Sequence, residues 1–286
     1  MNNNKSIALA LLAYILWGLL PIYWKTVQNF NSAFVLGIRV ITTFIFTLII
    51  IIYKKPKLNR GKKALLQTII AGILVGINWF LYIYTVNSGN VLEAGLAYYI
   101  CPILSIFIGI VFFREKKKPL EYLAIILMFT GMIYQTITLG KFPIMAFCIA
   151  LTFSIYGILK KFMVYSAWES LFLETFAIII PSIIIAKIYF PQHPQPISKW
   201  IALMFSGIAT GIPLYLFAKA AKGLQISMLG FLQFLVPFMA TILAIFVYKE
   251  EININRAITL CIIISASIIY SISIFKNSHT NNNSKN

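Results

Sequence analysis

The sequence predicts an all-α integral membrane protein in which ten transmembrane helices form two inverted five-helix repeats. Three observations predict this fold class: an apolar composition, ten long apolar segments, and a match between the two halves. The 286 residues are 60% hydrophobic, with a mean hydropathy of +0.88, and only 11% are charged. Soluble domains are about 45–50% apolar. This chain cannot hide its apolar surface in one water-soluble globule, so the bilayer is its expected solvent.

Ten segments are long and apolar enough to span a bilayer, which takes roughly 20 residues of helix. The first follows Lys5 and continues into Trp17, Gly18 and Pro21 without a small-residue cleavage site. We therefore expect it to stay in the protein as a helix, since a signal peptide would carry such a site. The expected spans are 7–25, 33–53, 64–86, 92–113, 120–138, 143–159, 168–190, 200–220, 226–248 and 256–275.

The two halves of the chain match each other at an offset of 135 residues. Five spans per repeat is an odd number, so the second repeat must enter the membrane from the opposite side, as in many secondary transporters. We expect repeats at 1–138 and 139–276, followed by a polar cytoplasmic tail at 277–286. The matched residues include Gly72 with Gly207, Gly76 with Gly211, Leu81 with Leu216, Gly95 with Gly230, Pro102 with Pro237, and Glu115 with Glu250.

Two of these matches place GxxxG pairs at equivalent points of the repeats, Gly72 with Gly76 and Gly207 with Gly211. Small residues at this spacing let helix backbones approach closely in lipid. The pairs therefore predict tight helix packing, and an interface that moves during function is the alternative interpretation.

The net charge of +17 is explained by topology. With the N-terminus in the cytoplasm, seventeen Lys and Arg residues fall on the inner side, six fall on the outer side, and Arg39 lies within a span. This asymmetry follows the positive-inside rule and places both termini in the cytoplasm. The basic loops are thus topology signals that face the lipid bilayer, and no nucleic-acid partner is expected.

The residue types needed for catalysis are scarce. Aspartate is absent, and the two histidines, His193 and His279, fall in a loop and in the tail. Few residues could therefore serve as metal ligands. The sequence also contains no Walker motif for ATP hydrolysis. We expect no enzyme activity, no metal and no cofactor.

The matched prolines Pro102 and Pro237 lie near the middle of spans 4 and 9 and predict breaks in both helices. Matched breaks are typical of a solute site at the membrane midplane. Aromatic and amide side chains nearby could stack on an organic solute and hydrogen-bond to it, while ordinary aromatic packing is the alternative for each. The candidate solute-binding residues are Trp17, Asn78, Trp79, Tyr82, Tyr98, Tyr99, Pro102, Phe231, Gln233 and Pro237.

Charged side chains inside spans are costly and are functional hypotheses by default. Arg39 and Glu93 both lie near the outer ends of their helices and are candidate ion-pair partners at an outer gate. Glu174 matches Arg39 in the repeat, but the inversion places it near the inner face. Lys160 and its neighbour Lys161 are closer candidate partners for Glu174.

Several segments resemble the RarD-type branch of the EamA family, within the drug/metabolite transporter superfamily. They are WGLLPIYWK at 17–25, NWFLYIYTVN at 78–87, EAGLAYYICP at 93–102, YGILKK at 156–161 and IPLYLFAKAAKGLQISMLGFLQFLVP at 212–237. The resemblance covers nearly the whole chain apart from the polar tail. It departs mildly where Gly95, Leu96 and Ala97 replace the Ser-Leu-Gly-Tyr-Phe that commonly follows Glu-Ala. It implies a ten-helix bundle in a bacterial cytoplasmic membrane.

The expected function is secondary transport of a small organic solute, with efflux of a metabolite or drug-like molecule implied by the resemblance. Alternating access between the repeats would expose the solute to one side at a time, driven by its own gradient or by a coupled proton or other ion. A solute channel or a membrane receptor without coupled transport stays open as an alternative. Saturable flux with counterflow favours the carrier, and flux linear in concentration favours a channel. The oligomeric state is not specified by the sequence.

Overall fold

The computed structural model describes residues 3–138, 140, 142–249 and 254–283, and every regular element in these ranges is a helix. In chain order the elements are α1 (Asn3–Thr26), α2 (Ser32–Lys54), α3 (Lys62–Asn87), α4 (Val91–Val111), α5 (Pro119–Thr138), α6 (Ile144–Lys161), α7 (Ala167–Ala177), α8 (Ile179–Ile188), α9 (Ile197–Met204), α10 (Ser206–Gly223), α11 (Ile226–Gln233), α12 (Leu235–Ile242) and α13 (Ile254–Asn283), with a π-helical turn at Leu243–Val247 between the last two.

The described residues contain eight helical segments that are long and apolar enough to cross a membrane. They correspond to the predicted spans 1 to 6, 8 and 9. The pair α7 and α8, bent by 52°, adds a ninth if it counts as one span. Helix α13 holds a shorter apolar stretch, Ala257–Tyr270, and continues to Asn283, past the predicted end of the last span. The chain is a multi-pass, all-helical membrane protein.

Two of the helix interruptions are explained by proline. Pro181 lies four residues after Ala177, where α7 ends, and Pro237 lies four residues after Gln233, where α11 ends. Proline has no N–H for the carbonyl four residues earlier, and its ring crowds that carbonyl. The predicted break near Pro237 is therefore confirmed. The matching break at Pro102 is not found, because α4 runs unbroken through it. Neighbouring helices can compensate such a lost bond.

The two ends of the bundle differ in charge. One end, here named the basic end, contains the start of α1 and the lysine- and arginine-rich loops 55–61 and 112–118. The hydroxyl of Tyr165 donates to the carbonyl of Leu58 at 2.7 Å and ties two loops together there. The other end, here named the opposite end, contains the connections from α1 to α2, from α3 to α4, and from α8 to α9.

The GxxxG glycines lie at close helix crossings. A Cβ added to Gly72 on α3 would lie 2.6 Å from the carbonyl oxygen of Glu174 on α7. A Cβ added to Gly207 on α10 would collide with the backbone of Thr42 and Thr43 on α2. Glycine is required at both crossings because only hydrogen fits between the backbones. The predicted close packing at these glycines is confirmed.

The helices pack mainly across the two halves of the chain. Helix α1 packs on α10, and in the corresponding way α6 packs on α3. Helix α4 packs on α6 and α11, α12 packs on α1, and α5 packs on α13. The rings of Trp17, Phe153 and Phe217 join α1, α6 and α10, with centroids 5.4–5.7 Å apart. This cross-packing makes one bundle from the two matched halves.

Candidate functional site

Arg39 brings a positive charge into the helix bundle. It lies seven residues after the first residue of α2, which at 1.5 Å per residue is about 10 Å from the opposite end. Its guanidinium carbon lies 4.3 Å from the ring centroid of Trp79 on α3 and 5.4 Å from that of Trp24 on α1. Both distances are within the range of a cation–π interaction. Three helices therefore meet around this charge.

Two tyrosines extend this group. The rings of Tyr82 on α3 and Tyr98 on α4 meet edge to face with centroids 5.8 Å apart, and Tyr82 follows Trp79 on α3 by about one helical turn. Tyr98 is 39% exposed although its helix is in the bundle. We name Trp24, Arg39, Trp79, Tyr82 and Tyr98 the Arg39 cluster.

The space next to the Arg39 cluster is open on one side. A Cβ added to Gly95, one turn before Tyr98 on α4, would meet no atom within 4 Å. At the matched position, a Cβ on Gly230 of α11 would lie 2.7 Å from Ser105 Cβ and 2.8 Å from the carbonyl oxygen of Pro102. Helix α4 thus packs closely on α11, toward the basic end, and contacts α12 much less, toward the opposite end. We name the space beside Gly95 and the Arg39 cluster the cleft.

A buried polar group lies below the cleft. The side-chain amide of Gln233 on α11 donates to the Cys101 sulfur of α4 at 3.3 Å. The hydroxyl of Ser105 donates to that of Ser154 on α6 at 3.3 Å, and Ser154 donates to the carbonyl of Cys101 at 3.3 Å. Cys101 follows Tyr98 by about one helical turn. These bonds join α4, α6 and α11 and close the cleft toward the basic end.

Glu115 reinforces this closure at the basic end. Its carboxylate accepts hydrogen bonds from the backbone N–H of Ile226 at 2.7 Å and of Ser227 at 3.1 Å, and from the Ser227 hydroxyl. A carboxylate is favourable at the N-terminus of a helix, here α11. Lys117 Nζ lies 3.7 Å from Glu115 and donates to Gln225 at 2.9 Å. Burial lowers the pKa of Lys117, and the charge of Glu115 opposes that shift.

A second charged group lies between α6 and α7. Lys160 Nζ lies 2.6 Å from Glu174 Oε1 and donates to the Ser170 hydroxyl at 2.7 Å. The hydroxyl of Tyr156 donates to Glu174 Oε2 at 3.0 Å. The side chains of Lys160 and Glu174 are each 1% exposed. The prediction that Glu174 pairs with a lysine at the end of span 6 is confirmed for Lys160. We name these four residues the Lys160 cluster.

Known proteins share this architecture and sequence. The EamA-like transporter family matches the chain twice, over residues 4–136 and 141–272. The chain belongs to this family. The two matches leave few residues of 3–272 uncovered, so the family assignment includes both the Arg39 cluster and the Lys160 cluster.

Relatives of this EamA-family protein include RarD proteins, which confirms the predicted resemblance. The chain is 31% identical to protein RarD of Escherichia coli (strain K12) over 284 residues, which cover 94% of each chain. It is 33% identical to the uncharacterized transporter YojE of Bacillus subtilis (strain 168) over 285 residues, covering 95% of each. A solved structure, described as the crystal structure of a protein, has a TM-score of 0.75 at 17% identity and covers 95% and 98% of the two chains. That likeness concerns the fold alone.

The structure of this EamA-family transporter brings together four of the predicted site residues. Arg39, Trp79, Tyr82 and Tyr98 meet in the Arg39 cluster, which none of their sequence spacings reveals. Trp24 was missed, although it stands in the segment WGLLPIYWK, because a tryptophan near the end of a span is typical of the membrane interface. Glu115 was singled out only as a repeat match. No three His, Cys, Asp or Glu side chains of the described ranges group as metal ligands.

The predicted ion pair between Arg39 and Glu93 is wrong. Glu93 accepts a hydrogen bond from the backbone N–H of Met145 at 2.9 Å. Met145 lies in the first turn of α6, whose N–H groups have no partner within the helix, so a carboxylate is stabilised there. Glu93 therefore connects α4 to α6, whereas Arg39 contacts aromatic rings.

The remaining predicted site residues take part in helix packing. Asn78 donates to the carbonyl of Ile149 at 2.6 Å and links α3 to α6. The ring of Phe231 stacks on Tyr270 with centroids 3.9 Å apart. Trp17 packs in the aromatic core, and Tyr99, Pro102, Gln233 and Pro237 are half-buried or buried between α4, α6, α11 and α12.

Proposed function

We propose that this chain is a secondary transporter that exports small organic solutes across a bacterial cytoplasmic membrane by alternating access. Its ten spans would form two inverted repeats, 1–138 and 139–276, with both termini in the cytoplasm. The solute's own gradient or a coupled ion would supply the energy. Under this topology the basic end faces the cytoplasm and the cleft opens to the outside.

The positions of Arg39 and Glu174 support the inversion. Each lies seven residues after the first residue of its helix, Ser32 for α2 and Ala167 for α7, and both pairs differ by 135. Yet α2 begins at the opposite end, and α7 begins at the basic end. The same segment of the two halves thus runs in opposite directions, and the two family matches fall on the same halves.

The cleft is the observation that carries the proposal. A Cβ added to Gly95, toward the opposite end, would meet no atom within 4 Å, whereas α4 and α11 pack together at Gly230 and Glu115 joins them at the basic end. One-sided access is what a carrier needs in each of its two states. The match between the two halves predicts the packing in the other state. Gly95 would pack against α12, at the positions that match Pro102 and Ser105. Gly230 would face open space.

Two alanine substitutions test this exchange. Gly230→Ala inserts a methyl group where α4 and α11 meet, so it disfavours the described state. Gly95→Ala would disfavour the other state. Overpacking costs about 1–3 kcal/mol, which corresponds to shifts of about 5- to 150-fold in the equilibrium between the states. The reporter is Tyr98→Cys in a protein whose three native cysteines are replaced, and it is labelled by a membrane-impermeant reagent in proteoliposomes.

We expect Gly95→Ala to increase labelling and Gly230→Ala to decrease it, with both variants folded. Equal labelling in the two variants would contradict alternating access through this pair of glycines. A parallel flux assay uses solutes that stabilise the purified protein in a thermal-shift screen. Saturable uptake with counterflow supports a carrier, and flux that rises linearly with concentration would instead indicate a channel.

A further inference from the structure

Among the residues that the structure describes, Arg39 has no anionic partner. Its Nε is buried without a hydrogen-bond acceptor, and no residue of the described ranges forms an ion pair with its guanidinium or accepts a hydrogen bond from it. The carboxylate nearest in the predicted topology, Glu93, is bound to the backbone of Met145. A cation at this depth is costly and usually pairs with another group. The rings of Trp24 and Trp79 stabilise it only in part.

We propose that Arg39 binds the carboxylate of an aromatic or similarly apolar organic anion in the cleft. This inference rests on the proposed transport function and names the class of solute. The guanidinium carbon lies 4.3 Å from the ring centroid of Trp79, and no residue of the described ranges accepts a hydrogen bond from its N–H groups. A planar guanidinium edge matches a carboxylate through two parallel hydrogen bonds. The exposed ring of Tyr98 offers the apolar part of the solute a surface to pack on.

The charge of the cluster favours one carboxylate over a multiply charged phosphate. Within the described ranges, Arg39 is the cation that contacts these rings, and the lysine- and arginine-rich loops lie at the basic end, away from the cleft. The hydroxyls of Tyr82 and Tyr98 are neutral donors that can hydrogen-bond to a carboxylate oxygen without adding charge. A single positive charge neutralises a single negative one, so the loaded cleft would carry no net charge through the membrane interior.

The Lys160 cluster explains why the site lies in one half of the bundle. Glu174 occupies the position that matches Arg39, but Lys160, Tyr156 and Ser170 already satisfy the charged groups there. That position has no free charge to offer a solute. The anion site is therefore specific to the first half, although the surrounding helices match in both.

The test measures ligand binding by the full-length protein in detergent. The probes are phenylacetate, benzoate and indole-3-acetate, each compared with its uncharged primary amide. Binding is followed by quenching of tryptophan fluorescence, to which Trp24 and Trp79 contribute, and by the shift of the thermal unfolding midpoint. We expect saturable binding of at least one carboxylate, at least about tenfold tighter than its amide, since hydrogen bonds to charged groups are the strong ones. Sodium chloride and sodium phosphate serve as inorganic probes.

Three variants locate the preference. Arg39→Gln should weaken carboxylate binding roughly 10- to 100-fold and leave amide binding unchanged. Arg39→Lys should recover only part of the loss, because an ammonium lacks the planar fork. Lys25→Gln is the matched control, since Lys25 also lies near the opposite end but its Nζ sits 4.1 Å from the Tyr248 ring. It should bind carboxylates as the wild type does.

Several outcomes would overturn the proposal: no carboxylate binds, amides bind equally well, chloride or phosphate gives the same response, or Lys25→Gln loses as much affinity as Arg39→Gln. The flux assay separates this inference from the transport proposal. Carboxylate-selective binding that depends on Arg39, without counterflow, would contradict transport alone. Saturable counterflow of an uncharged solute, unaffected by Arg39→Gln, would contradict the anion site alone.

Discussion

Arg39 and Glu174 occupy matched positions in the two halves of the chain, yet they are used in opposite ways. Arg39 lies beside an open cleft with its guanidinium against aromatic rings and no acceptor among the described residues. Glu174 lies in a fully packed region, where Lys160 and Tyr156 bind both of its carboxylate oxygens. The matched helices alone do not determine whether the charge at this position is paired within the protein. The neighbouring side chains determine it, on α1 and α3 for Arg39 and on α6 for Glu174.

The comparison separates stability from recognition. In the Lys160 cluster the charges hold α6 against α7, so their loss should change folding. In the Arg39 cluster the charge contributes little to packing, so its loss should change ligand binding. Substitutions in the two regions should therefore move different measurements.

The largest effect on stability is expected for Lys160→Met. Removing one partner of a buried ion pair leaves the other charge buried without compensation, which costs about 3–5 kcal/mol. The midpoint of thermal unfolding in detergent should fall sharply. The double variant Lys160→Met with Glu174→Gln removes both charges and should recover a substantial part of the loss. If the double variant is no more stable than Lys160→Met, the ion pair is not the source of the effect.

An intermediate effect is expected where α3 crosses the Lys160 cluster. Gly72→Ala would place a methyl group 2.6 Å from the Glu174 carbonyl oxygen, and the crossing helices must separate. Overpacking of this kind costs about 1–3 kcal/mol. Gly95→Ala is the matched control, because its methyl group meets no atom within 4 Å beside the cleft. Its unfolding midpoint should be unchanged or slightly raised, and equal destabilisation by both substitutions would contradict the described packing.

The regions also differ in how far the sequence predicted them. Apolar segments about 20 residues long locate most helices, because the bilayer requires continuous backbone hydrogen bonding. The close crossings at Gly72 and Gly207 follow from small residues at GxxxG spacing. The pairing of Lys160 with Glu174 could be predicted from the sequence, because both residues lie near the same end of adjacent spans.

The Arg39 cluster was harder to predict, because its members come from four helices and meet through the tertiary packing. Sequence offered several aromatic side chains at comparable depth, and nothing local separates Trp79 beside Arg39 from Trp17 in the aromatic core. Depth and charge alone predict a pair between Glu93 and Arg39. The free N–H groups at the start of α6 compete for the same carboxylate, and they are visible only once α4 and α6 are in place.

The smallest effect on stability is expected for Arg39→Gln. The substitution removes two cation–π contacts, which contribute about 0.5–2 kcal/mol each depending on their burial, and it also removes a charge that has no anionic partner among the described residues. These changes oppose each other, so the unfolding midpoint without ligand should change little. With a bound aromatic carboxylate, the wild type should unfold at a higher temperature than without it, and the variant should not. A loss of stability as large as that of Lys160→Met would show instead that the guanidinium holds α1, α2 and α3 together, and the distinction between the two regions would fail.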